Sequence, residues 1–143
     1  MKQAIGVFLV LLSFAIGDRL WAADPTPPLA SRLAGSTLSA VTYMPKKPGM
    51  PGGGELARVI MQAYLRADGG AVVRVWDPSR NAYTAAVERR WSLSGSRLCI
   101  DLPSGTICAD VHVWGPRIAG IGTNPYAMLD GDLRSGNAIT ATR

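Results

Sequence analysis

Histidine occurs once and cysteine twice in 143 residues, and only 17% of the side chains are charged. One histidine cannot build a histidine-based metal cage, and two cysteines cannot carry a disulfide-rich scaffold. Charge is scarce against a usual share of about 25%, but 48% of the residues are apolar, which excludes wholesale disorder. The length fits one domain of about 100–200 residues and excludes a two-domain enzyme. An uninterrupted bilayer span is also missing. The apolar run from Ala4 to Ile16 holds thirteen residues, where a transmembrane helix needs about 20.

What is present begins with that run. Behind Lys2 it has the dimensions of the apolar part of an export signal. Small residues allow cleavage after Gly17, Ala22 or Ala23. A signal over 1–23 is preferred because Asp24-Pro25 opens a linker-like stretch, and no cysteine stands beside any of these positions to accept a lipid. The expectation is a periplasmic or secreted protein with no membrane span after cleavage. Without residues 1–23 the chain keeps 13 basic and 9 acidic residues, a net charge of +4. A basic exported protein can meet anionic envelope polymers or headgroups. The basic residues are scattered, with only Lys46-Lys47 and Arg89-Arg90 adjacent, so no nucleic acid partner is expected.

Residues 24–32 form a proline-rich lead-in, expected to be extended, before a single domain over 33–139. Residues 44–54 (MPKKPGMPGGG) read as a long glycine-proline loop. Its two methionines, far from the one histidine, make a poor copper site. Strands are expected over Ser36–Tyr43, Ala71–Trp76, Tyr83–Leu93, Ser96–Leu102, Thr106–Trp114, Arg117–Ile121 and Ala127–Leu133. The segment 56–66 (LARVIMQAYLR) fits a strand or an amphipathic helix, and the hairpin signal Ala67-Asp68-Gly69-Gly70 after it favours the strand. Short strands at roughly ten-residue spacing imply an all-β antiparallel meander of about 7–8 strands, a small barrel or a strongly curved sheet.

The register is clearest around the cysteines. Leu98, Ile100 and Leu102 alternate with Arg97, Cys99 and Asp101, while Ile107, Ala109, Val111 and Val113 alternate with Cys108, Asp110 and His112. Placing Cys99 opposite Cys108 pairs Ile100 with Ile107, Leu98 with Ala109 and Arg97 with Asp110, whereas a one-residue slip sets apolar against polar throughout. In an oxidising compartment the two cysteines should bond, with Cα atoms about 4.5–6 Å apart. Their spacing is not that of a redox pair, so the bond is expected to be structural. Working back from Ser94-Gly95 sets Trp91 opposite Leu98 and Arg89 opposite Ile100, on the apolar face. There Arg89 either snorkels to solvent or meets a ligand carboxylate or phosphate, with Trp91 beside it.

Catalytic chemistry is hard to assemble. His112 has Asp110 on the same strand face, but no serine sits in a nucleophile elbow. Asp130-Gly131-Asp132 lacks the remaining ligands of a calcium loop, and Gly120-Ile121-Gly122-Thr123-Asn124 lacks the helix and lysine of a phosphate loop. No catalytic residue, metal or cofactor is therefore assigned, and the protein is expected to be non-enzymatic.

Trp91-x-x-x-Gly95-x-x-x-Cys99, then Cys108-x-x-x-His112-x-Trp114, then Gly131-Asp-Leu-Arg-Ser-Gly-Asn137 resemble small exported bacterial proteins of uncharacterised function. Gly35-Ser36-Thr37 matches their strand start. The resemblance covers about residues 33–139 and implies a calycin-like (lipocalin-like) meander with a two-cysteine hairpin. The functional expectation is a binding module for an amphipathic small molecule or an envelope glycan in the mouth of the barrel. The alternative is a structural or protein-interaction component of the envelope. Alanines 57, 63, 71, 85, 109 and 119 would leave room for a ligand if they faced inward.

Overall fold

A computed structural model describes residues 27–46, 55–122 and 128–139. The expected signal segment and its cleavage sites lie outside the described residues, as does most of the 44–54 loop. The described strands are β1 (Ser36–Pro45), β2 (Leu56–Leu65), β3 (Gly70–Asp77), β4 (Ala82–Tyr83), β5 (Val87–Ser94), β6 (Arg97–Leu102), β7 (Gly105–Trp114), β8 (Arg117–Gly122) and β9 (Met128–Ser135). They form one nine-stranded sheet in which every pairing is antiparallel. The first strand pairs with the last, and a β2–β3 pairing completes the circuit, so the sheet closes into a ring. The two-residue β4 lies outside this circuit, paired with the end of β3 beyond the β3–β5 ladder.

Alternation decides which residues face inward. On β7 it leaves Ile107, Ala109, Val111 and Val113 buried and Asp110, His112 and Trp114 exposed. The same period holds on β2, where Met61, Ala63 and Leu65 are all fully buried, so segment 56–66 is strand and not helix. The ring is filled by side chains, among them Leu38, Met61, Leu65, Leu98, Ile100 and Ile118. Of the small residues expected to leave room, Ala63, Ala71 and Ala109 do face the core, but Ala85 is exposed outside any strand and Ala119 lies on the outer face. Space inside is tight at Gly120, where a Cβ would sit 2.8 Å from Val111 Cγ1.

The proline-rich lead-in is not wholly extended. Leu29–Leu33 form a one-turn helix, α1, starting directly after Pro28. Leu33 drops from it into the core with no exposed surface, and Leu29 packs against the same cluster. Arg32 fastens the turn by donating to the Val113 and Gly115 carbonyls, each at 2.8 Å. Burial of two leucines outweighs the extended preference of the prolines before them.

The cysteine hairpin has the expected register throughout: Cys99 faces Cys108, Ile100 faces Ile107, Leu98 faces Ala109 and Arg97 faces Asp110. The disulfide is formed, with Cα atoms 4.1 Å apart, somewhat closer than expected. The cause lies in the ladder. Val111 N–H donates to Ser96 O at 2.8 Å, and strict alternation makes the cysteine pair a non-hydrogen-bonded one, where Cα atoms approach to about 4.5 Å.

The preceding hairpin departs from expectation by two residues. Trp91 faces Ile100 and not Leu98, because the turn is Gly95-Ser96 and not Ser94-Gly95. Gly95 has φ +61°, and a two-residue turn with positive φ at its first central position places glycine there. A shift of two preserves the faces, so Arg89 remains on the inward side, opposite Ala71 of β3. Nor is 83–93 one strand: Thr84 to Ala86 separate β4 from β5.

Candidate functional site

Two hollows matter, one where the sequence directs attention and one where it does not. The first lies at the β2–β3 turn and is lined by Arg66, Asp68, Gly70, Glu88, Arg89 and Arg90. Arg66 lies flat over Gly70, where a Cβ would come within 2.8 Å of its guanidinium carbon. It pairs with Asp68 at 3.4 Å and Glu88 at 3.0 Å. Glu88 chiefly raises the Arg66 pKa. The Gly70 N–H, donating at 2.8 Å, chiefly lowers that of Asp68. Arg89 is half-buried and donates to the Glu88 carbonyl at 2.9 Å. Trp91 does not line this hollow; its indole N–H donates to Arg66 O at 2.7 Å, which pins the turn. The two residues singled out from sequence thus share a hairpin rim, but Trp91 spends its polar atom on the fold.

The second hollow lies on the outer wall of the ring, has a volume of about 280 Å³, and is lined by Ser39, Val41, Ile60, Tyr83, Arg117, Asp130 and Asp132, among others. Its floor is the cross-strand pair Val41 and Ile60. One side is Tyr83, which β4 folds back over the wall. Trp76 meets the Tyr83 ring edge-on, with centroids 5.3 Å apart at 83°, and the Arg74 guanidinium lies 4.7 Å from the ring centroid. Such aromatic and cation–π contacts hold a ring in place where it is only half-buried. Arg74 also donates to Gln62 at 2.8 Å, and Gln62 donates to Ser39 at 3.3 Å.

The other side is polar. Arg117 bridges two carboxylates, reaching Asp130 Oδ1 at 2.7 Å and Asp132 Oδ1 at 3.3 Å. The register explains the bridge, since Arg117 faces Asp132 across the β8–β9 ladder and Asp130 is the next outward residue on β9. The Oδ2 oxygens accept no hydrogen bond among the described residues. Gly131 lets β9 lie close to β1, because a Cβ there would fall 2.7 Å from Ala40 Cα and collide with Ser39 O.

The loop holding β4 is set by Asp77. Its Oδ1 accepts the Ser79 hydroxyl at 2.6 Å and the Ser79 N–H at 2.9 Å. These two bonds, the hydroxyl first, hold its carboxyl below the ordinary value. Asn81 takes the left-handed conformation at φ 50° that lets the chain turn back.

Sequence reasoning missed this second hollow. Asp130-Gly131-Asp132 stood out only as a failed calcium loop, and Tyr83 read as an ordinary strand residue. Among the described residues no group of three or more histidines, cysteines, aspartates or glutamates is placed to hold a metal. His112 stacks on Trp114, with centroids 5.6 Å apart at 24°, on the exposed face of β7. No protein-family model matches the chain, and the curated proteins and solved structures searched give no match either.

Proposed function

We propose that this is a non-enzymatic binding module of an exported compartment that takes its ligand on the outer wall of the ring. The observation that carries the reading is the opposed pair of surfaces around the second hollow. Tyr83, Val41 and Ile60 offer an apolar side and floor, while Arg117, Asp130 and Asp132 face them with open hydrogen-bonding capacity. A ligand with one apolar face and several polar groups matches both, which suits an envelope glycan or an amphipathic small molecule. Site and interior are separate: Leu33 and the packed core occupy the ring. The apolar run at Ala4–Ile16 and the Cys99–Cys108 bond together support export. The up-and-down strand order supports the calycin-like resemblance.

A second reading rests on Trp114, Ile121 and Met128, which are 48%, 66% and 54% exposed. Ile121 faces Met128 across the β8–β9 ladder, and exposed apolar pairs of this kind suit a protein partner. Native mass spectrometry of the protein purified from its own organism separates the two readings. A small-molecule adduct that disappears in Tyr83→Ala supports the binding module, and a co-purifying polypeptide lost in Ile121→Ser supports the second reading.

A further inference from the structure

We infer that the outer-wall hollow binds a neutral sugar, gripped through a vicinal diol by the Asp130–Arg117–Asp132 bridge and covered on its C–H face by Tyr83. This deepens the binding-module reading and rests on it. Three features point to this chemistry. The first is charge: the hollow is lined by two aspartates and one arginine, Arg117, which bridges them. Such a site gives an anionic polymer nothing to gain, and its exposed carboxylates repel one. The charged hollow around Arg66 differs, since its three arginines outnumber its two acids.

The second is the pattern of donors and acceptors. Each aspartate gives one oxygen to Arg117 and keeps the other available, and a guanidinium has five N–H groups, of which Arg117 uses two here. Adjacent hydroxyls of a sugar both donate and accept, so each can donate a hydrogen bond to an Oδ2 and accept one from Arg117. A hydrocarbon chain leaves all of these groups unsatisfied, at the cost of desolvating them.

The third is shape. The volume of about 280 Å³ suits one or two sugar rings rather than a long acyl chain. The apolar floor of Val41 and Ile60, with the Tyr83 ring at its side, matches the C–H face that a pyranose presents when its hydroxyls point the other way.

The test is an amide-shift titration of the protein by NMR with three probes: neutral oligosaccharides (glucan and N-acetylhexosamine oligomers), polygalacturonate fragments, and a nonionic alkyl detergent below its micellar concentration. The inference expects a neutral oligomer to shift amides around Ile60, Tyr83, Arg117 and Asp130. The affinity should stay flat from about 0.05 to 0.5 M salt. Tyr83→Ala should weaken it about tenfold or more, and Arg117→Gln likewise, while Tyr83→Phe retains it. Both weakened variants should keep the dispersed wild-type spectrum, which excludes misfolding as the cause. If the acidic fragments or the detergent bind this face and neutral sugars do not, the sugar assignment is overturned and the binding module survives. If none of the probes shifts these amides, while a different ligand adduct lost in Tyr83→Ala appears in the native mass spectrum, the sugar assignment alone fails. Silence in both measurements overturns both.

Discussion

The two walls of the ring share one interior and treat solvent in opposite ways. On β5 and β7 the outward residues Glu88, Arg90, Ser92, Ser94, Asp110, His112 and Trp114 are exposed, the half-buried Cys108 of the disulfide apart. On β1, β2 and β3 most outward residues, among them Thr37, Val41, Ile60, Gln62, Tyr64, Arg74 and Trp76, are buried or half-buried, with Leu56 and Arg58 at the start of β2 exposed. Two pieces of chain cover that wall. The stretch after β9 bonds to Thr37, whose hydroxyl donates to Gly136 O at 2.7 Å and accepts from Ala138 N at 2.8 Å. β4 lays Tyr83 over it from the side of β3. The lesson is that an antiparallel sheet needs only one covered face to be stable. A second covered face is therefore more than a stable sheet requires, and the hollow with its charged bridge lies there.

The largest expected effect tests what the walls share. Ile100→Ala and Leu38→Ala each remove a side chain from the common core, one from each wall, and each should cost about 2–5 kcal/mol in urea or guanidinium denaturation. A loss below about 1 kcal/mol at either would mean that the two walls do not share one core.

Next comes the disulfide, which belongs only to the bare wall. Replacing Cys99 and Cys108 by alanine should lower stability by about 2–3 kcal/mol, the chain-entropy value for a loop of about ten residues. The proposed binding at Tyr83 should be unchanged, and a thiol assay on the wild-type protein should find none free. Loss of ligand affinity in the double variant would couple walls that the structure keeps apart.

A matched pair then probes the coverings. Ile60→Ala on the covered wall should cost about 1–2 kcal/mol. Ser92→Ala on the bare wall should stay within about 0.5 kcal/mol. Equal effects would erase the distinction.

The smallest effect is electrostatic and sits in the loop that carries β4. The Asp77 carboxyl is depressed in the fold, so its contribution is complete above the unfolded value, about 3.8, and fades as pH falls through the lower folded value. Stability should drop slightly more steeply below about pH 4 in the wild type than in Asp77→Asn, as read from denaturation midpoints between about pH 5 and pH 2. A steeper loss in the variant would reverse the sign and remove Asp77 as an anchor of β4.

The contrast also separates what sequence reveals from what it hides. The bare wall is legible because its hairpins are local. Strict alternation, paired cysteines and a Pro103-Ser104 turn fix the β6–β7 register within a dozen residues. One hairpin earlier, the same reasoning misses by two, because the position of Gly95 within its turn settles the register and alternation cannot detect an even shift. The short α1 escapes notice because prolines dominate the reading of the lead-in, while Leu33 finds its partners only in the finished core. The hollow is least legible of all. Val41, Tyr83 and Arg117 come from three distant stretches, brought together by the β1–β9 pairing and by a two-residue strand turning back. No local pattern marks residues whose neighbourhood depends on closure.

Closure also sets an order of events. Ser36 pairs with Ser135, so the first strand stays without one neighbour until the last strand is present. Contacts spanning nearly the whole domain are slow to form, whereas the cysteine hairpin needs only adjacent residues. While the circuit is incomplete, β1 and β8 both present unsatisfied backbone edges, the kind that recruit other chains into aggregates. Once β9 is in place those edges vanish together, and the outer wall acquires Asp130 and Asp132 in the same step. The outer-wall hollow and protection from self-association thus arrive together with one strand, Met128–Ser135.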